Sequence, residues 1–397
     1  MKLLMTLTAY PPAVGGAQQH MHQLARELIR RHTLSVAAQW DANRTDWLMG
    51  TTLRGPLERR RYEIDGVQVC RMALAPDARR RLALWVYGYY ALQGPALARI
   101  AAELARELAP LAAQAKLIHN CRIGREGLSF ASLQVARERG VPFILTPVHH
   151  PRWGGWLHRH YHRLYREADA VIALTESERQ TLARLGVDER RISVTGMGPV
   201  LSEQADGQRF RNQHGLDAAP VVLFLGQKYA YKGLATLMAA APLVWSAEPE
   251  ARFVFVGPRT TYSIKLFGEQ RDRRILELDA LDLQDKTNVL AACDVLCVPS
   301  TQESFGGVYT EAWSLGKPVI GADIPAVREV IAQGEDGLLV PQEATAIAAA
   351  LKELLSNASL RGQMGQRGQA KVEASYSWPR LAALTEQVYT RALQGAF

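Results

Sequence analysis

Glu303 and Glu311 stand eight positions apart in "PSTQESFGGVYTEAW", with Phe305, Gly306 and Gly307 between them. Two nearby carboxylates can work as an acid–base pair, as in glycoside cleavage, where the groups lie roughly 5–9.5 Å apart. On one continuous helix eight residues would separate them by about 12 Å, and two adjacent glycines disfavour such a helix. The spacing reads better with Glu303 in a loop and Glu311 in the first or second turn of a helix opened by Gly306 and Gly307. Backbone N–H groups of Phe305, Gly306 and Gly307 could then approach a charged ligand. The structural alternatives are an acid that complements a helix dipole, for Glu311, and a solvated loop acid, for Glu303.

Three more junctions carry residues that could serve such a ligand. In "FLGQKYAYKG", Gly226 ends an apolar run, and Lys228 and Lys232 bracket the start of a helix near Gly233. Lysines there oppose the helix dipole, an arrangement that a bound anion relieves. In "LTPVHHPRWGGW", His149 and His150 follow a strand end, where a histidine can bond a polar substrate near neutral pH. His149 is the first choice of the two. In "TAYPPAVGGAQQH", Gly15 and Gly16 precede a helix and leave room for a ligand at its positive end. This is not the GxGxxG fingerprint of dinucleotide sites.

The elements that must hold these junctions alternate along the chain. Apolar runs at 2–8, 34–38, 116–120, 142–146 and 170–175, then at 221–226, 251–257, 294–299 and 317–322, are separated by segments with helical spacing. Such alternation predicts parallel sheets covered on both faces. The stretch "EIDGVQVCRM" predicts an antiparallel excursion about an Asp-Gly turn. At 397 residues the chain exceeds one ordinary core. The polar, turn-rich stretch 195–220 marks the boundary, giving domains at 1–200 and 201–375 with a last segment at 376–397. Two facing doubly wound units would leave a ligand cleft between the carboxyl ends of their strands.

Composition narrows the function. With 48% hydrophobic and 22% charged residues the chain should fold as a soluble globular protein, and no apolar run nears the ~20 residues of a membrane span. The start, "MKLLMTLTAYPP", reads as a buried strand rather than a signal peptide. The four cysteines lack metal-ligand spacing, and Cys293 and Cys297 read as buried thiols of a core strand. These features suggest the cytoplasm. Residues 1–200 carry 28 Lys and Arg against 17 Asp and Glu, whereas the rest carries 19 against 22. Arg79-Arg80-Arg81 precede "LALWVYGYYAL", which suits either a solvated cluster beside core aromatics or peripheral contact with the inner face of a membrane. No nucleic-acid module accompanies the charge.

The whole pattern resembles the retaining glycosyltransferases of family 4, with the two-Rossmann-domain GT-B fold. "PSTQESFGGVYTEAWSLGKPVIGADIPAVREVI" matches their Glu-x7-Glu signature, "YPPAVGGAQQHMHQLARELIRRH" their first loop and helix, and "ADAVIALTESER" the end of their first domain. "YKG" matches their donor-lysine segment, and "YSWPRLAALTEQVY" resembles a last helix that crosses back onto the first domain. The resemblance implies a nucleotide-diphosphate sugar as donor, UDP-linked before GDP-linked, and a saccharide, lipid-linked or small-molecule acceptor. It implies that Glu311 bonds the ribose, and that Glu303 with Ser304, Phe305, Gly306 and Gly307 holds the sugar and diphosphate. Lys232 would neutralise the leaving group, His149 would sit by the sugar and acceptor hydroxyl, and Gly15, Gly16 and Gly226 would admit the donor. Where the family usually has Arg after the strand-end glycine this chain has Gln227, so Lys228 is the substitute expected at the diphosphate. No Asp-x-Asp occurs, so metal-independent transfer without a protein nucleophile is expected. The rival readings are a hydrolase or phosphorylase on the same fold and an idle nucleotide-sugar-binding subunit.

Overall fold

The computed structural model describes residues 1–13, 15–42, 52–122, 124–150 and 153–396. The chain forms two compact units, one of Met1–Gly196 with Trp378–Phe397 and one of Met197–Ser377. In the first, β1 (Lys2–Ala9), β2 (Thr33–Trp40), β3 (Arg60–Ile64), β4 (Val67–Arg71), β5 (Leu117–Cys121), β6 (Phe143–Thr146), β7 (Ala170–Ala173) and β8 (Ile192–Val194) make one sheet. Their order is β3-β4-β2-β1-β5-β6-β7-β8. Every pairing is parallel except β3 with β4. That hairpin turns at Asp65 and Gly66, both at positive φ (48° and 77°), the backbone that a two-residue hairpin turn requires.

The second unit holds β9 (Val221–Leu225), β10 (Arg252–Val256), β11 (Ile275–Leu278), β12 (Val295–Val298), β13 (Val319–Ala322) and β14 (Gly337–Val340). They lie in the order β11-β10-β9-β12-β13-β14, parallel throughout. β5, β6, β7, β9 and β12 are buried at every position, as strands covered on both faces must be. The covering helices follow the 3.6-residue period. The helix Gln93–Ala112, for example, buries Leu97, Ile100, Ala101, Leu104 and Leu108. Cys293 and Cys297 are buried free thiols, but only Cys297 lies in β12, whereas Cys293 ends the preceding helix Leu283–Ala292.

The helix Trp378–Leu393 packs in the first unit, along the helix Gly16–Leu28. Tyr389 carries its hydroxyl to His119 Nδ1 at 2.7 Å, and Glu386 bonds His32 and Arg31 at 2.8 and 2.9 Å. Among the described residues no helix is long and apolar enough to cross a membrane. The Arg79–Arg81 cluster lies in the helix Pro76–Tyr87, which divides its apolar residues between two faces. Leu82 and Val86 are buried, whereas Leu84 and Tyr87, with Tyr90 and Leu92 just beyond, are exposed.

Candidate functional site

The motif glutamates sit where β12 gives way to a helix. The strand ends, Pro299 and Ser300 follow, and the helix Gly307–Ser314 starts behind Gly306 at φ 88°. A side chain at Gly306 would run into the Tyr309 ring, 2.4 Å from an added Cβ. Tyr309 is in turn fixed by its hydroxyl, which donates to Val298 O at 3.0 Å. Phe305 is buried with its ring edge-on to Tyr376, which anchors the loop. The helix has no side-chain cap and no acid in its first turn, so its first N–H groups remain available to an anion. Some helices are closed by Thr175, Asp206, Thr260 and Asp282, whereas others, such as Gly16–Leu28 and Leu234–Trp245, also lack a side-chain cap.

Each motif glutamate is paired with its own lysine. Lys232 Nζ donates to Glu303 Oε1 at 2.5 Å, and Lys286 Nζ donates to Glu311 Oε1 at 2.8 Å. All four side chains are largely buried. Lys232 ends a short 3-10 turn after β9 and precedes Gly233, which holds φ 82°. An added Cβ there would meet Pro299 O at 2.7 Å, so the lysine turn is seated directly on the glutamate loop. Lys286 comes from the helix Leu283–Ala292 and also donates to Val200 O at 2.6 Å.

Lys228, expected at the diphosphate, is placed differently. Its ammonium is fully buried, bonded to Glu277 and to Leu278 O at 2.6 Å, and Arg259 bonds the same glutamate at 2.7 Å. Two lysines that look alike in sequence thus end in different surroundings, because β11 offers Lys228 a carboxylate first. Gly226 has open space about its α-carbon at φ 151°, which suits a close ligand. Lys286 was not expected. Nothing in "DLQDKTNV" separates it from an ordinary helix-surface lysine.

In the first unit, Gly15 is the uncapped start of the helix Gly16–Leu28, and the Gln18 side chain folds over it. Its neighbour Val14 lies outside the described residues. His149 follows β6 and is buried, with Val148 before it at φ 43°, a costly backbone for a β-branched residue. Glu178 holds this loop: one oxygen accepts from His149 N at 2.6 Å and the other from Leu174 N at 2.7 Å. The imidazole Nδ1 lies 3.4 Å from the Tyr165 hydroxyl. Burial, then the positive charge of Arg122, pushes His149 down to about 3, so the ring is neutral at physiological pH. Burial pushes Glu178 up to about 7 against the pull of its two amides.

The comparisons fit this division. Residues 15–198 match the glycosyl transferase 4-like domain, and residues 219–357 match the glycosyl transferases group 1 domain. A D-inositol 3-phosphate glycosyltransferase of Corynebacterium glutamicum (strain R) is 30% identical over 248 residues, 58% of this chain and 59% of its own length. A phosphatidyl-myo-inositol mannosyltransferase of Mycobacterium tuberculosis is 31% identical over 224 residues, 52% of this chain and 59% of its own. The chain spans less than two thirds of the length of these curated relatives. Among solved structures, sucrose-phosphate synthase from Thermosynechococcus elongatus superposes with a TM-score of 0.74 at 19% identity, covering 98% of this chain and 99% of that one. Anabaena Alr3699/HepE, in complex with UDP and glucose, superposes with a TM-score of 0.72 at 18% identity over 98% and 99%. With two consecutive domain matches, two parallel-sheet units and the Glu-x7-Glu loop in place, the chain belongs to the group 1, family 4-like glycosyltransferases of the GT-B fold.

Proposed function

We propose that the chain is a retaining glycosyltransferase that moves a sugar from a nucleotide-diphosphate sugar to an acceptor hydroxyl without a metal ion. The observation that carries this reading is the Lys232–Glu303 pair beside the uncapped helix at Gly307. It puts a cation, a carboxylate and free N–H groups together at the ends of the neighbouring strands β9 and β12. Breaking the anomeric C–O bond leaves charge on the diphosphate, which fixed donors stabilise better than water does. In this proposal Lys232 and the amides of Phe305–Gly307 take the diphosphate, with Ser304 and Gly226 lining the donor's path. Glu303 binds the transferred sugar, while Glu311, braced by Lys286, accepts from the ribose hydroxyls. Lys228 enters only if it leaves Glu277, so Lys232 carries the charge.

In the first unit, His149 meets the sugar and acceptor hydroxyl as a neutral imidazole, and Gly15 and Gly16 admit the diphosphate and acceptor. A UDP-sugar is the donor favoured, since HepE was solved with UDP and glucose. Both curated relatives are named for phosphate-bearing inositol acceptors, which supports an anionic or lipid-linked acceptor here. Exposed Leu84, Tyr87, Tyr90 and Leu92 beside Arg80 support peripheral contact with the inner membrane face.

The test is release of nucleoside diphosphate from UDP-, GDP- and ADP-sugars in EDTA, with saccharides, inositol phosphates and a membrane extract as acceptors. Acceptor-dependent release from one donor is expected. Release that needs no acceptor would point to a hydrolase, and binding without release under every acceptor to an idle subunit.

A further inference from the structure

Arg122 lies directly after β5, its backbone N–H bonded to Thr146 O at 3.0 Å. Its side chain is completely buried, a rare place for a guanidinium. Trp153 and Tyr161 each face it with ring centroids 4.3 Å from Cζ, and Tyr165 stands at 5.6 Å. Nη1 donates to the Tyr165 hydroxyl, while Nε and Nη2 have no hydrogen-bond partner. Among the described residues no carboxylate forms an ion pair with it. The nearby acid Glu126 directs its oxygens to Ser129, through N at 3.0 Å and Oγ, and burial raises that carboxyl against the pull of Ser129 and of the Arg122 charge, which acts on it without a direct bond.

A buried cation without a counter-ion is strongly unfavourable. Aromatic faces recover part of the cost, yet they leave two N–H donors idle, and a hydrophobic side chain of the same size would carry no such penalty. The neighbouring imidazoles of His149 and His162, both lowered by burial and by the Arg122 charge, supply no negative charge. An oxyanion on the Nε–Nη2 edge would satisfy both donors, since a guanidinium edge binds phosphate through two parallel hydrogen bonds. The place suits a ligand, because Arg122 and His149 follow adjacent strands β5 and β6 at their carboxyl ends. Trp153 covers one face and is only half-buried, and Gly154 and Gly155 beyond it have open space around them.

We propose that Arg122 holds a phosphate group of the acceptor, placing the hydroxyl to be glycosylated beside His149. This rests on the transferase reading above for the word acceptor, but phosphate binding at Arg122 does not. The phosphate could belong to a soluble sugar phosphate or to a lipid headgroup, and the two share the same recognition chemistry.

The test is calorimetric titration of the full chain with inorganic phosphate, with myo-inositol 1-phosphate, and with phosphatidylcholine vesicles with or without phosphatidylinositol. Arg122→Gln and Arg122→Lys run beside the wild type, and UDP is titrated into all three. Wild type is expected to bind inorganic phosphate, Arg122→Gln to lose at least about tenfold in affinity, and UDP affinity to stay unchanged. A preference for the soluble phosphate or for the vesicles assigns the source. Equal phosphate binding by a folded Arg122→Gln overturns the proposal, as does an Arg122-dependent loss of UDP affinity, which would give the anion to the donor. Should Arg122→Gln not fold, the wild type alone decides through its melting temperature in phosphate against chloride at equal ionic strength. No rise in phosphate overturns the site. Phosphate binding in a chain that releases no nucleoside diphosphate keeps the site and removes the transferase reading. Acceptor-dependent release without phosphate binding does the reverse.

Discussion

Lys232 Nζ and Glu303 Oε1 meet at 2.5 Å, across 71 residues of sequence. The ammonium that would neutralise a leaving diphosphate is therefore already neutralised by a carboxylate. If a donor diphosphate takes that ammonium, as proposed above, it must share it with Glu303, so both partners should matter to turnover. Glu303→Gln is expected to lower kcat at least about tenfold, or ~1.4 kcal/mol of barrier, and Lys232→Met by at least as much. Removing either leaves the other charge unpaired, so the double variant should lose less than the two singles combined. Additive losses in kcat would show that the pair does not act as a unit.

Lys286 and Glu311 should report on binding rather than on chemistry. If Glu311 accepts from the ribose, Glu311→Gln removes a charged hydrogen bond worth about 1.5–3 kcal/mol, roughly 10–100-fold in nucleotide affinity. Lys286→Met should move the same way by freeing the carboxylate to shift. The check is the Kd for the nucleoside diphosphate beside kcat, with kcat within a few-fold of wild type. An unchanged Kd in Glu311→Gln takes the ribose away from this residue.

Stability should fall on the acid side through histidines buried in the first unit. Burial lowers His20 from 6.5 to about 4, and both His119 and His149 to about 3. A depressed histidine favours the fold above its unfolded value, and that contribution is lost as pH falls from about 6.5 toward the folded value. At about pH 4 the combined loss should be on the order of several kcal/mol. Glu178 works in the opposite direction. Raised from 4.5 to about 7, it favours the fold when protonated and loses that contribution as pH rises from about 4.5 to about 7. Denaturant midpoints should peak near about pH 6–7 and drop steeply below about pH 5. In Glu178→Gln the midpoint should rise more steeply between about pH 5 and 7 than in wild type, and an equal rise removes Glu178 as an opposing contribution.

Gly306 should not tolerate a side chain. Gly306→Ala adds a Cβ at φ 88°, 2.4 Å from the Tyr309 ring, and should cost about 2 kcal/mol or more from strain and displacement together. Gly316, also at positive φ (67°) but with nothing within 4 Å of an added Cβ, is the control and should lose only about 1 kcal/mol. Equal losses in denaturant unfolding would mean that contact with Tyr309 does not shape the loop.

The sequence made the scaffold readable because strands, helices and turns are written locally. Apolar runs became β9 and β12, Asp65-Gly66 turned the hairpin, and Gly306 opened the helix that carries Glu311. Each depends on neighbours within a few residues. What could not be read is which side chains meet across elements. Lys228 and Lys232 differ only in that β11 sets Glu277 beside the first and the loop after β12 sets Glu303 beside the second. Lys286 becomes informative only once its helix packs near Glu311. Thr175-x-x-Glu178 has the spacing of a capping box, and Thr175 does cap its helix. The glutamate reaches Leu174 and His149 instead, a choice made by β6 lying next to β7. Arg122 gave no local sign at all, because burial, and not its neighbours in sequence, makes it unusual.

The helix Trp378–Leu393 joins the first unit only after the chain has built the whole of the second. During synthesis on the ribosome, the first sheet must therefore wait for about half of the chain before its last piece arrives. Until then the His119 imidazole lacks its Tyr389 partner, and the apolar patch that Ala382, Val388 and Tyr389 will cover stays open. The second unit suffers no such delay, since Met197–Ser377 is one uninterrupted stretch. Folding order is thereby built into the connectivity: the second unit can finish first, and the first becomes complete only in a chain that already carries its companion.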